Sequence, residues 1–182
     1  MSTLWRRPLS AVLLMAGLAG ATFTSAVAAD TKYKACSRLT AGEITAAVNA
    51  PVSGTRDYDF DIQSGAYKGT TVSSCTWIAG RSFVNLNIMP AAQTPAQRAE
   101  GLAGVRRQDD ILRKQGYTVV PAHIAGADCN TFKPPASSSN PTPSASCAIV
   151  NKGMQFWLGI KGASATVQQA KALSDKVAAR LP

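Results

Sequence analysis

Hydrophobic and polar residues alternate along several stretches of the chain. Tyr58, Phe60 and Ile62 are separated by aspartates, and Val84 and Leu86 are separated by an asparagine. A period of two is typical of a strand with one buried face. We predict strands at 57–62, 71–78, 83–89, 117–121, 147–150 and 155–160, with turns at 79–81 and 151–153 that close two hairpins.

Three amphipathic helices are predicted from their first residues. The stretches 40–43 and 94–97 are capping boxes, in which a threonine accepts from a free backbone N–H and a Glu or Gln reaches back. The third helix begins at Ser164 or Thr166. Its apolar residues recur at helical spacing and form a stripe of Val167, Ala170, Leu173, Val177 and Leu181.

The two hairpins match each other in sequence without a gap. Cys75 of the first hairpin corresponds to Cys147 of the second, and each hairpin precedes a helix that starts with threonine. This match predicts a duplicated hairpin–helix unit, or two units that converged on one pattern. The fold class is therefore α+β, with an antiparallel sheet and amphipathic helices packed on one face. The strand aromatics are expected in the core; they are Trp77, Phe83, Phe156 and Trp157.

Residues 1–29 have the order of a cleaved signal peptide. Arg6 and Arg7 precede the apolar run 9–21, and the small residues 26–28 supply a cleavage site. Cys36 does not follow an apolar run, so no lipid anchor is expected. We predict a periplasmic or secreted protein without a transmembrane segment, because no later apolar run reaches the length that spans a bilayer. Removal of the two arginines lowers the formal net charge from +9 to +7.

All four cysteines lie in the predicted mature chain, 30–182, which forms a single domain. An even number in an oxidising compartment indicates two disulfides, for which three connectivities exist. We favour Cys36–Cys75 and Cys129–Cys147, since each pair closes a self-contained segment. A zinc site would need cysteines two to four residues apart, and the spacing here does not provide them.

The stretch 133–146, KPPASSSNPTPSAS, is rich in proline and serine and is predicted to be an exposed loop tied at its base by Cys129 and Cys147. A loop of this length is either functional or merely tolerated.

Charged residues suggest two candidate binding surfaces. The second helix carries the densest basic region of the mature chain, and Asp109 and Asp110 stand four residues before Arg113 and Lys114, which favours ion pairs within the helix. Asp109 is also a candidate buried carboxylate. The basic surface is either solvated or attracted to anionic material. Its residues are Arg98, Arg106, Arg107, Arg113 and Lys114.

Asp57, Asp59 and Asp61 lie on one side of the first predicted strand. They lack the glycine and the glutamate that a calcium-binding loop of this spacing needs, so we expect no metal. They form either a solvated strand edge, where charge discourages aggregation, or an acidic ridge for a partner.

The sequence contains few candidate catalytic residues. His123 is the one histidine of the chain, and no serine has the G-x-S-x-G environment of a nucleophile elbow. No phosphate-binding loop or cofactor fingerprint occurs, so no cofactor is expected.

The motif formed by Cys36, Leu39, Thr40 and Glu43, with Cys75-Thr76-Trp77 downstream, resembles small exported bacterial proteins and lipoproteins of unknown function that share C-x-x-L-T-x-x-E and C-T-W. The resemblance covers residues 36–90. It implies pairing of Cys36 with Cys75 and a non-catalytic role in the envelope. It transfers no site residues.

The sequence therefore predicts an exported binding or accessory protein of the bacterial cell envelope, whose partner is a protein or an anionic envelope component rather than nucleic acid. One alternative is an inhibitor or immunity protein that presents the aspartates to an extracytoplasmic toxin or hydrolase. Another is a hydrolase that uses His123 and a carboxylate. The oligomeric state is left open.

Overall fold

The computed structural model describes residues 32–138 and 141–181. The predicted signal peptide, 1–29, lies outside these residues. The helices are α1 (Ala41–Val48), α2 (Pro95–Lys114) and α3 (Val167–Arg180), and a short 3-10 helix, Ala35–Arg38, precedes α1. The strands are β1 (Val52–Asp61), β2 (Thr71–Ala79), β3 (Ser82–Pro90), β4 (Thr118–Ile124), β5 (Ala127–Lys133), β6 (Ser144–Asn151) and β7 (Met154–Lys161).

All seven strands form one antiparallel sheet in the order β1-β2-β3-β7-β6-β5-β4. The predicted α+β class and both predicted hairpins are confirmed. β3 and β7 meet in the middle of the sheet, where Leu86 lies opposite Leu158. β1 and β4 are the two edges. Within the described ranges, no helix combines the length and apolar character needed to cross a membrane.

The two halves of the sheet have the same strand registers at one constant offset in sequence. Cys75 pairs with Leu86 in the first hairpin, and Cys147 pairs with Leu158 in the second. The repeat extends to a third strand in each half, since Asp57 lies opposite Cys75 just as Cys129 lies opposite Cys147. The halves are therefore related by a pseudo-two-fold axis that passes between β3 and β7.

The three predicted helix starts are confirmed. In each, a threonine side chain accepts from the backbone N–H three residues later, and that residue's side chain accepts from the threonine N–H. This reciprocal arrangement satisfies two of the donors that a helix start leaves free. The pairs are Thr40 with Glu43, Thr94 with Gln97, and Thr166 with Gln169.

The core lies between the sheet and a layer made by α1 and α3. Strand alternation directs Leu86, Leu158 and Phe156 towards these helices, where they are fully or almost fully buried. The predicted stripe of α3 is buried too. α2 does not join this layer: none of its described side chains is buried, and its closest strand is β4.

The ends of the described chain meet beside this layer. Arg38 Nη1 donates to the carbonyl of Arg180 at 2.5 Å, and Arg180 Nη1 donates to the carbonyl of Arg38 at 2.8 Å. The guanidinium of Arg180 also holds both carboxylate oxygens of Glu43, at 2.7 and 2.8 Å. The first and last helices are thus linked directly.

Both favoured disulfides are present, and they join different kinds of element in the two halves. Cys129 and Cys147 are opposite each other on adjacent strands. Cys75 occupies the position equivalent to Cys147, but it bonds to Cys36 of the 3-10 helix. The first disulfide therefore fixes the N-terminal segment onto the sheet, whereas the second joins two strands.

The predicted loop 133–146 is shorter in the structure. Lys133 ends β5, and β6 begins at Ser144, so the connection spans 134–143. Ala145 is fully buried opposite Thr131. The first residues of β6 are small serines and alanines. Their low-complexity composition is that of a loop, and the sequence therefore did not indicate that the strand begins here.

Candidate functional site

The basic residues predicted as a binding surface lie on the exterior of α2. Arg106, Arg107, Arg113 and Lys114 are all exposed. Neither predicted ion pair forms between the described side chains: Asp110 is exposed and Asp109 is half-buried, without an ion pair to Arg113 or Lys114. The helix therefore presents exposed basic side chains that make no ion pair with Asp109 or Asp110.

The three aspartates of β1 serve the fold. Asp59 accepts from the Ser73 hydroxyl at 2.5 Å and from the Lys32 backbone N–H at 2.7 Å. Asp61 accepts from the Thr71 hydroxyl at 2.8 Å. Asp57 is half-buried opposite Cys75. These carboxylates bind the N-terminal segment and β2 to the edge strand β1. α2, whose C-terminal half carries most of its basic residues, contacts β4 at the opposite edge of the sheet.

His123 lies in β4, where its Cα pairs in register with that of Asp128. Among residues 32–138 and 141–181, no group of three or more His, Cys, Asp or Glu residues could hold a metal ion.

A groove between α1 and α3, of about 510 Å³, is lined by Glu43, a carboxylate whose pKa is strongly shifted. The Arg180 guanidinium, with help from the Thr40 N–H and Lys176, holds the pKa of Glu43 well below its ordinary value of 4.5. Both Glu43 oxygens are occupied by these partners, so the group links α1 to α3. Sequence reasoning identified Glu43 only as part of a capping box, because its main partner, Arg180, lies at the other end of the chain.

The face of the sheet opposite α1 and α3, which we call the open face, exposes large aromatic side chains. Trp157 is 38% exposed and Phe83 is 44% exposed, so the prediction that both lie in the core is wrong. Their neighbours Phe156 and Val84 are buried, and alternation must direct adjacent strand residues to opposite faces. Tyr58 and Phe60 of β1 share the open face, and each is 42% exposed.

One end of the open face is covered. The ring of Tyr67, from the connection between β1 and β2, packs with Val72 and Met89. α2 begins beside this cluster: Glu100 accepts from the Ala66 N–H, and Gly101 lies close to the Tyr67 hydroxyl. The aromatic residues remain exposed beyond this cover.

A row of five residues, three of them with small polar side chains, crosses the open part of this face, one from each of five adjacent strands; we call it the polar track. Arg56 pairs with Thr76, Thr76 with Asn85, and Asn85 with Gly159, and the last residue, Ser146, pairs with Gly159. Three strand spacings of about 4.8 Å place Arg56 about 14 Å from Gly159. All five are half-buried or exposed.

Hydrogen bonds hold the middle of the track in place. The Asn85 amide donates to the Thr76 hydroxyl at 2.9 Å and to the Cys75 carbonyl at 3.3 Å. The Asn87 amide donates in turn to the Asn85 Oδ1. These bonds fix the orientation of the Asn85 and Asn87 amides, so these two side chains would lose little further conformational entropy in any contact made there.

Aromatic and basic side chains border the track. Trp157 is two residues from Gly159 on one side, and Lys161 is two residues away on the other, paired with Phe83. Arg56 and Lys161 are exposed. Among the described open-face positions of the strands, Asp128 is the acidic residue, and it lies two strands beyond Trp157.

No protein-family model and no curated protein matches this chain in sequence.

Proposed function

We propose that this protein is an exported, non-catalytic binding domain of the bacterial cell envelope and that the open face is its binding surface. Four exposed aromatic side chains on one sheet face carry this proposal. Burial of a large aromatic side chain is energetically favourable. Exposed aromatic side chains next to oriented polar groups are therefore typical of interaction sites.

Export is supported by the order of charged, apolar and small residues over 1–29. The two disulfides support the same conclusion, because disulfides persist in oxidising compartments. The partner is a protein or an anionic envelope component, and the mature charge of +7 favours an anionic one. The export signal disfavours nucleic acid.

The acidic ridge has less support as a partner surface. Asp59 and Asp61 already accept hydrogen bonds from the chain itself, so an inhibitor or immunity protein that relied on them would compete with its own fold. The hydrolase hypothesis depends on His123 and a carboxylate. The Cα of His123 pairs in register with that of Asp128, whereas the groove between α1 and α3 is lined by other residues.

Co-sedimentation of the mature chain, 30–182, with a bacterial envelope fraction tests this function. We expect binding that Trp157→Ala reduces and that Ile111→Ala, which trims an exposed apolar residue of α2, leaves unchanged. A triple substitution of Arg106, Arg107 and Arg113 to glutamine separates the two candidate surfaces. If it abolishes binding while Trp157→Ala does not, the basic helix is the binding surface. Absence of binding at both low and moderate salt would overturn the function.

A further inference from the structure

We propose that the polar track binds an acidic polysaccharide, whose sugar rings stack on the bordering aromatic residues and whose carboxylates meet Arg56 and Lys161. This assignment rests on the proposed function, because it names the ligand of the same surface.

Gly159 is the observation that points to a ligand. It lies in the interior of β7, where glycine weakens a strand, and the registers on both of its sides run through without a bulge. Packing within the protein does not require it: an added Cβ would meet the Ala145 carbonyl oxygen and the Ser146 Cβ no closer than 4.0 Å. A strand glycine without a bulge or a tight packing contact is typical of a place where a ligand approaches the backbone closely.

The chemistry around Gly159 matches a sugar chain. The C–H face of a pyranose ring carries slight positive charge and stacks on the negative face of an aromatic ring such as Trp157. The hydroxyls of Thr76 and Ser146 can exchange hydrogen bonds with sugar hydroxyls in both directions, and the Asn85 Oδ1 keeps a second lone pair that can accept from a sugar hydroxyl. The track extends over several strands, so a chain of sugars fits it better than a single ring.

The positive charges on the open face favour an acidic sugar chain. Arg56 is the first residue of the track, Lys161 borders the track, and both side chains are exposed. Arg81, in the turn between β2 and β3, adds a third positive charge at the same end of the sheet. Carboxylates on the sugars would pair with these groups, whereas Asp128 lies beyond the track.

The first experiment compares envelope fractions treated in three ways. Periodate, which cleaves vicinal diols of sugars, should abolish co-sedimentation, and so should chemical reduction of carboxylates. Protease should leave binding intact. Binding that resists periodate but is lost after protease identifies a protein partner and overturns the polysaccharide, while the proposed binding function stands. Loss of binding after periodate but not after carboxyl reduction overturns the acidic character of the ligand.

The second experiment measures affinity for polygalacturonate by gel retardation, with its carboxyl-reduced form as the control. We expect retardation by the acidic polymer that falls steeply with salt. Gly159→Thr and Trp157→Ala should each weaken it roughly tenfold or more, a ΔΔG of about 1.4 kcal/mol. Arg56→Gln with Lys161→Gln should weaken it and flatten its salt dependence.

Gly159→Thr also separates binding from folding. Threonine favours strands and its Cβ makes only ordinary contacts here, so the variant should unfold at the same temperature as the wild type or higher. Gly104→Ala, which changes a glycine of α2 away from the track, is the matched control and should bind normally. Normal polymer binding by Gly159→Thr would overturn the site, and a lack of binding to polygalacturonate by the wild type, while periodate-sensitive envelope binding persists, would overturn uronate recognition.

Discussion

The two halves of this protein share a sheet register but use it differently. α2 and α3 begin at equivalent positions of the two halves with the same capping box, yet α3 is packed into the core and α2 is set apart. Two positions explain the difference. Ala170 and Leu173, which are buried in α3, correspond to Arg98 and Gly101 in α2.

In the first half, the place that α3 takes over the sheet is filled by the N-terminal segment. The 3-10 helix and α1 contact β1, β2 and β3, and Cys36–Cys75 fixes them there. The comparison shows that a cap decides where a helix starts, while its apolar stripe decides what it packs against. It also leaves α2 free to border the opposite face.

The largest expected effect comes from the disulfides. Replacing Cys36 and Cys75 by alanine should lower the free energy of unfolding by about 4 kcal/mol, and replacing Cys129 and Cys147 by about 3 kcal/mol, because the first pair spans 39 residues and the second 18. Urea unfolding of the two double variants measures both. A larger loss from the Cys129–Cys147 variant would contradict the view that the first disulfide holds a whole segment in place.

Truncation of the buried helix comes next. Leu173→Ala should lower stability by about 3 kcal/mol, since it leaves a cavity under α3. Leu112→Ala, in the half-buried last turns of α2, should cost clearly less. Thermal and urea unfolding of both variants provide the test, and equal losses would mean that α2 contributes to the core as much as α3 does.

A glycine substitution in α2 should have the opposite sign. Gly104→Ala should raise the free energy of unfolding by roughly 0.5–1 kcal/mol, because alanine is the better helix former and no atom lies within 4 Å of its added Cβ. Gly101→Ala should gain less, since its Cβ would lie 3.3 Å from the Tyr67 hydroxyl. Destabilisation by Gly104→Ala would show that α2 packs more tightly than described.

The smallest effect concerns the link between α1 and α3. Glu43→Gln keeps a residue type that completes the capping box in α2 and α3 but removes the charge, and should cost about 0.5 kcal/mol at pH 7. The folded protein holds the pKa of Glu43 below 4.5, so the stabilisation is full above that pH and is lost as the pH falls below it. The difference in free energy of unfolding between the two proteins should therefore narrow as the pH falls from 7 to 3; a constant difference would contradict the ion pair.

Local signals made much of this fold predictable. Capping boxes, strand alternation and cysteine positions lie within short stretches, and they identified the three helices, both hairpins and both disulfides. The start of β6 was missed because its serines and alanines resemble a linker in composition. β5 lacks a clear period-two pattern in its sequence. It forms a strand because it pairs with β4 and β6 on its two sides.

The candidate site was harder to predict. Phe83 and Trp157 were assigned to the core by residue type, although their buried neighbours Val84 and Phe156 already implied that they face away. The polar track joins residues from five strands whose order follows from the non-local pairing of β3 with β7. The Glu43–Arg180 pair likewise depends on contacts between the two ends of the chain.

The reciprocal hydrogen bonds of Arg38 and Arg180 join the first and last parts of the described chain, so this part of the fold forms only after both ends are available. If the chain crosses a membrane from its N-terminus, as the proposed export requires, α1 emerges first, while α3, the helix that completes the layer beside it, emerges later. Non-local contacts of this kind slow folding, because a long segment must be ordered before they form. In the export that we propose, Cys36 would therefore reach the oxidising compartment well before the sheet could shield it, and its partner, Cys75, is the next cysteine along the chain.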